Sequence, residues 1–213
     1  MPEKPTLEIE QQYWQSSVTP VAGLDEAGMG ALAGPVVAGA VVFDAAGGWG
    51  DFNVLIRDSK TLSAKQRQRA AEWIKEQARS WAIGEASVEE ITQLNIRQAA
   101  HLAMRRAVDQ LEPAPALLLI DGNPAEPHPS IPATNIVKGD SVSLSIAAAS
   151  ILAKVHRDEL MVQLDAKFPA YGLAQHKGYG SAQHLAALHQ HGASPHHRTT
   201  YAPVAKVLEQ AKT

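Results

Sequence analysis

The 213-residue chain contains no cysteine. That excludes disulfide staples, thiolate zinc sites and cysteine nucleophiles. It also lacks any apolar run of the roughly 18 residues that a membrane-spanning helix requires. The first residues, Met1 to Gln12, are polar and acidic rather than apolar, unlike a secretory signal. These absences together predict a soluble, cytoplasmic protein. No repeat at solenoid or propeller periods is present. An overall positive charge is missing as well. The formal net charge is −3, which on its own argues against a nucleic-acid partner. The charge is nevertheless unevenly spread. Residues 1–137 carry 11 Lys and Arg against 17 Asp and Glu, a net of −6, whereas residues 138–213 carry 8 against 5, a net of +3, with seven of the nine histidines. A basic portion of an acidic chain can still bind a polyanion locally.

Hydrophobic residues make up 45% and charged residues 19%, a globular composition suited to one medium domain with a single core. Val21 to Leu24 predicts a strand running into Asp25-Glu26. Pro35 to Phe43, rich in valine and alanine, predicts a second. Ser63 can cap a helix over 64–79. A third strand is expected from Trp81 to Val88. Ile96, Ala100, Ala103, Ala107 and Leu111 recur at helical spacing, and Pro113 stops that helix. Ala116 to Ile120 is a continuous apolar run, expected to be a strand covered on both faces. A proline-rich loop separates it from a fifth strand over 134–137. Helical pattern then covers 141–168, followed by a loop over 171–180 and helices over 182–191 and 203–211. The order predicts an α/β fold with a mixed sheet. The expected division is a polar N-terminal segment (1–18), a catalytic domain (19–168) and a helical C-terminal extension (169–213).

Asp25-Glu26, Asp121 and Asp140 share one context: each follows an apolar strand-like run and adjoins a turn. Strand ends remote in sequence converge at one sheet edge, where loops carry chemistry on a rigid frame. Clustered carboxylates repel one another, and hard divalent cations relieve that repulsion. Two-metal phosphoryl transfer fits such a set. Aspartates at strand ends also serve as turn formers and caps, but a doubled Asp25-Glu26 before a glycine-rich turn is unusual for a cap. The segment Gly28 to Gly34 has G-x-G-x-x-x-G spacing, and Pro35 with the valines after it predicts a strand where a dinucleotide loop needs a helix. A nucleotide-binding oxidoreductase is therefore disfavoured. Gly28 and Gly30 instead let backbone amides approach an anion beside the carboxylates.

The chain resembles the ribonuclease HII family, the type 2 ribonucleases H. The resemblance is carried by Gly23-Leu24-Asp25-Glu26-Ala27-Gly28-Met29-Gly30 with Ala33-Gly34-Pro35-Val36-Val37, by Asp58-Ser59-Lys60, Ile120-Asp121-Gly122 and Lys138-Gly139-Asp140, by Ser145 to Val155 with Arg157-Asp158, and by Tyr171-Gly172, His176-Lys177-Gly178-Tyr179-Gly180 and His197-Arg198. These segments occur in family order over about residues 21–204. The resemblance implies a ribonuclease H-like fold: a five-stranded mixed sheet flanked by helices, with a small helical C-terminal extension. It implies cleavage of RNA within RNA–DNA duplexes and at single ribonucleotides embedded in DNA, on the 5′ side, leaving 3′-hydroxyl and 5′-phosphate ends. It further implies that Asp25, Glu26, Asp121 and Asp140 are catalytic ligands of two Mg2+ or Mn2+ ions.

Discriminating RNA from DNA requires sensing the 2′-hydroxyl, a task suited to the amides of Gly28, Met29 and Gly30. Tyr179 matches the tyrosine that packs on the deoxyribose after the ribonucleotide. Lys60, Lys177 and Arg198 are candidate phosphate contacts. Asp158 is expected to be a supporting or surface residue. The histidine-dense tail offers no clean ligand pair with carboxylate support, so no zinc site is expected. The chain departs from the family at one informative position: its turn reads Gly28-Met29-Gly30 where the family has Gly-Arg-Gly. Methionine offers no charged donor, which leaves open a weakened enzyme that binds hybrid duplexes. With no heptad pattern or large apolar stripe, a monomer is expected.

Overall fold

The computed structural model describes residues 4–45, 47, 56, 59, 62–122 and 127–211. Five strands, β1 (Val21–Ala27), β2 (Val36–Val42), β3 (Ser80–Ala86), β4 (Leu117–Asp121) and β5 (Ala133–Ile136), form one sheet in the order β3-β2-β1-β4-β5. The first three make an antiparallel meander, while β4 and β5 run parallel to β1. All seven residues of β2 are buried, as expected of a strand with helices on both faces.

Eight α-helices accompany the sheet among the described residues: α1 (Glu8–Gln15), α2 (Ala64–Gln77), α3 (Val88–Leu94), α4 (Ile96–Val108), α5 (Leu144–Lys167), α6 (Leu173–His176), α7 (Ala182–His191) and α8 (Ala202–Gln210). On one face, Ala99, Ala103, Met104 and Ala107 of α4 pack against Leu24, Ala38, Leu118 and Ile120. On the other, Ala147 to Ala149, Ile151 and Leu152 of α5 pack with Val41 and with Ala70 and Ile74 of α2. Small residues let α5 lie close to the centre of the sheet. A Cβ at Gly23 would stand 2.2 Å from the Ser145 carbonyl carbon, and one at Gly39 would stand 2.3 Å from the Ala149 oxygen.

The five-stranded mixed sheet agrees with the sequence expectation, and the differences are local. The third strand ends at Ala86 rather than Val88. Ser87 then caps α3, accepting from the Glu90 amide (3.2 Å) while Glu90 Oε2 accepts from the Ser87 amide (2.9 Å). This reciprocal box was present in the sequence as Ser-x-x-Glu. The segment expected to be merely polar, 1–18, contains α1. Buried Glu10 on that helix accepts from Ser143 Oγ (2.7 Å) and from the Ser145 amide (3.0 Å). Its carboxylate thus caps the positive end of α5 from more than 130 residues away in sequence, a placement favoured by the helix dipole. Within 171–180, expected to be loop, lies the single turn of α6.

The segment beyond α5 docks on the glycine-rich stretch that follows β1. Leu32 packs with Leu188, Val204 and Val207, and Ala33 with Met161, Tyr171 and Leu173. The Leu32 amide donates to the Gly178 carbonyl (2.8 Å), the Gly34 amide to His196 (2.9 Å), and the Arg198 amide to Leu32 (2.8 Å).

Candidate active site

Parallel pairing of β1 with β4 sets Leu24 opposite Ile120, so Asp25 and Asp121 emerge at the same sheet edge. Side chains alternate along a strand. Leu24 and Ile120 face α4, hence Asp25 and Asp121 face α5. Asp140 sits in the 3-10 turn Gly139–Ser141 after β5. Carboxylate oxygens of Asp25, Asp121 and Asp140 lie within 4.8 Å of one another. The Gly139 amide donates to Asp121 Oδ1 (2.6 Å) and the Glu26 amide to Asp25 Oδ1 (2.7 Å). Asp25 also bonds the Ser150 hydroxyl, which in turn lies 3.1 Å from Ser59 Oγ. Burial, then the charge of Glu26 and further that of Asp121, holds the Asp25 carboxyl well above the usual carboxylate range; the Ser150 and backbone hydrogen bonds offset this in part. Three hard oxygen donors, one of them hard to ionise without a counter-charge, are chemically matched to a divalent cation.

Glu26 stands apart from that trio. Alternation puts it on the α4 face of β1, and it reaches the rim of the cleft that Asp25, Asp121, Ser150 and Tyr179 line, a cavity of about 530 Å3. Gly28 to Gly30 form the neighbouring wall. Gly28 has φ +100°, and a Cβ there would fall 2.1 Å from Arg157 Nε, so glycine is required by backbone and packing alike. Gly30 is different: it is exposed, its φ is ordinary, and nothing lies within 4 Å of a Cβ built on it. Nothing in the described protein demands a glycine at this position. The Met29 side chain is half-buried and packs against the main core, as does Tyr201.

Two fully buried arginines underlie this wall. Arg157 donates to the carbonyls of Pro35, Lys177 and Ala33 at 3.0, 2.9 and 3.0 Å. Arg198 donates to Gly34, Met29 and Pro35 at 3.0, 3.0 and 3.1 Å. Burial pushes the Arg157 guanidinium down to about 10 and lowers that of Arg198. The expectation of a phosphate contact at Arg198 is therefore corrected. Its guanidinium is enclosed and committed to backbone carbonyls of the turn.

Tyr179, 39% exposed, stands at the cleft edge with Lys154 Nζ 5.7 Å and Arg157 Cζ 5.5 Å from its ring centre. Lys154 pairs with Asp158 (2.6 Å), which Arg67 also approaches (3.7 Å). Asp158 thus supports Lys154 and Arg67 beside the cleft. Lys177 Nζ turns back to the Ala174 carbonyl. Lys60 lies outside the described residues. Sequence reasoning did not single out Ser150 and Lys154 as site residues, although Ser150, Lys154 and Asp158 recur every four residues and so share one helix face. Of the histidines, His176 stacks on His184 with ring centres 4.3 Å apart, and His184 Nε2 lies 3.1 Å from His197 Nε2.

A family model described as ribonuclease HII matches residues 22–204. The chain belongs to the ribonuclease HII family. It is 53% identical over 193 residues to the ribonuclease HII of Albidiferax ferrireducens, covering 90% of each chain. It is 50% identical over 211 residues to that of Caulobacter vibrioides, covering 99% of this chain and 96% of the relative. Among solved structures, the ribonuclease H2 of Pyrococcus horikoshii superposes with a TM-score of 0.76 at 23% identity, over 92% of this chain and all of that one. Bst RNase HIII in complex with Mn2+ superposes with a TM-score of 0.72 at 23% identity, over 92% of this chain and 71% of the other; both share the fold. With this membership the chain is a ribonuclease H enzyme, an endonuclease acting on an RNA strand.

Proposed function

We propose that the chain degrades the RNA strand of RNA–DNA hybrids and incises duplex DNA on the 5′ side of single embedded ribonucleotides, by two-metal hydrolysis that leaves 3′-hydroxyl and 5′-phosphate ends. The observation that carries the reading is the convergence of Asp25, Asp121 and Asp140, from three separate chain segments, within 4.8 Å beside a glycine turn with room for a backbone approach. Asp25, Asp121 and Asp140, with Glu26 at the rim, would hold Mg2+ or Mn2+. When bound, such ions supply charge neutralisation and Lewis acidity at the scissile phosphodiester. A solved structural neighbour, Bst RNase HIII, holds Mn2+, in keeping with this assignment.

The chain's own groups orient and select. Gly139 and Ser150 fix the carboxylates of Asp121 and Asp25. The amide of Gly30 meets the 2′-hydroxyl, and the ring of Tyr179 packs on the following deoxyribose. Lys154 of the catalytic domain over 19–168 contacts a phosphate, and Lys177, on leaving the Ala174 carbonyl, contacts another, so residues 169–213 act as a substrate-binding extension. The deciding assay offers a DNA duplex with one ribonucleotide, in Mg2+ or Mn2+, to the wild-type chain and to Asp25→Asn. A metal-dependent 5′ nick lost in the variant is expected; full activity in Asp25→Asn would refute the metal assignment.

The reading of a weakened hybrid binder draws on Met29, whose side chain packs against the core and offers no donor. Replacing Met29 with arginine is expected to raise cleavage efficiency by about tenfold, the worth of one charge-assisted phosphate contact. Single-turnover rates with both chains measure it, and equal rates would show that the position is silent here.

A further inference from the structure

Arg198 and Tyr201 both aim donors at one atom, the carbonyl oxygen of Met29: Arg198 Nη1 at 3.0 Å and Tyr201 Oη at 2.6 Å. The two are themselves joined, Nη1 donating to Tyr201 Oη at 3.1 Å, with the guanidinium 5.3 Å from the tyrosine ring centre. Arg198 also holds the Gly34 and Pro35 carbonyls, so its fork spans both ends of the turn. A planar trans peptide points its N–H opposite to its C=O. With the Met29 carbonyl held inward by two donors, the amide of Gly30 is turned outward, to the cleft wall that Gly30 forms. Gly30 is also where the protein leaves a side-chain-sized space unfilled.

We propose that Arg198 and Tyr201 are positioning residues for ribonucleotide recognition. Through the Met29 carbonyl they fix the Gly30 amide in the orientation that meets a 2′-hydroxyl. This deepens the nuclease reading and rests on it. Neither residue touches the substrate. The oxygen of Tyr201 is the testable half of the device, since phenylalanine keeps the ring and its packing while removing one of the two donors. Loss of one hydrogen bond to an oriented group corresponds to about tenfold.

The experiment measures binding and cleavage for wild type, Tyr201→Phe and Val207→Ala. Val207 lies in the apolar core of the same extension with Leu188 and Val204, the cluster on which the Tyr201 ring also packs; it makes no hydrogen bond to the turn, so it reports on loosening of that packing without removal of a donor. Affinities in Ca2+ are taken for a duplex with one ribonucleotide and for the same duplex in all-deoxy form. Cleavage is then followed in Mg2+, with hydrogen exchange at residues 28–31 as a local probe. In Tyr201→Phe, the preference for the ribonucleotide duplex is expected to fall about tenfold, with all-deoxy affinity unchanged and faster exchange in the turn. Val207→Ala is expected to keep the preference. A preference unchanged in Tyr201→Phe, or lowered equally in both variants, would overturn the proposal while the nuclease reading stands. A wild-type chain that neither cleaves nor prefers the ribonucleotide duplex would overturn both, and is told apart by that control alone.

Discussion

Asp25 is a carboxyl group held where ionisation is costly. Its pKa is raised in the folded chain, first by burial and then by Glu26 and Asp121. The unfolded chain therefore gives up this proton at lower pH than the folded one. Stability from this group is present below the unfolded pKa and is lost as pH rises through the raised folded value. At neutral pH and without metal, the native state carries a strain that an amide would remove. Asp25→Asn is thus expected to abolish cleavage yet melt higher than wild type in EDTA, by roughly 2–4 °C for each kcal/mol gained in a chain of this size. Addition of Mg2+ should narrow that gap, as read by calorimetry. Gly30 yields the converse test. A methyl group there meets nothing in the protein, so Gly30→Ala should change folding stability by less than about 0.5 kcal/mol. Cleavage efficiency is nevertheless expected to drop at least tenfold if the ribose takes up that space, as the proposed function requires; an active Gly30→Ala enzyme would remove the close-approach argument.

At the scale of elements, the C-terminal segment is tied together by a directional chain of hydrogen bonds. The Ser194 amide donates to His197 Nδ1 (3.0 Å), so the proton of His197 sits on Nε2. That nitrogen donates to His184 Nε2 (3.1 Å), and His184 Nδ1 donates to the Tyr179 carbonyl (3.0 Å). Each ring is satisfied only when neutral. Burial pushes His197 down to about 4 and lowers His184 as well. The stability this confers is complete above the unfolded value near 6.5 and is lost as pH falls through about 4, for a total of about 3 kcal/mol from His197. His197→Gln, which can still donate to His184, should flatten the urea midpoint between those pH values. The α5 helix illustrates legibility at this scale. Its core alanines and its span were readable from periodicity. Its capping by Glu10 was not, because no local pattern announces a bond made across more than 130 residues.

The whole molecule repays the same distinction. Strand ends, the mixed sheet and the convergence of Asp25, Asp121 and Asp140 were readable because apolar runs ending in acids are local patterns; that Glu26 would stand outside the trio was not. Arg198 was misread as a phosphate ligand because sequence shows a charge but not the carbonyls waiting for it. Lys154 was overlooked for the opposite reason: its family motif reads as helix packing, while its head lies by the cleft. Charge is divided along the chain, net −6 over residues 1–137 and +3 over the remainder, so duplex affinity belongs to a few cations rather than to overall charge. With the two proposed phosphate contacts, Lys154 and Lys177, the logarithm of affinity should fall with that of salt at a slope near −2. Lys154→Ala is expected to reduce the slope by about one, measured by fluorescence anisotropy across a salt series.

The bond from Tyr201 to Met29 spans 172 positions. If Arg198 and Tyr201 set the turn as proposed, the acids come from residues 25 to 140 while the group that reads the sugar is aimed by residues 198 and 201. Chemistry and choice of sugar would then be separable by truncation: a chain cut before residue 198 would keep the acids and lose the address.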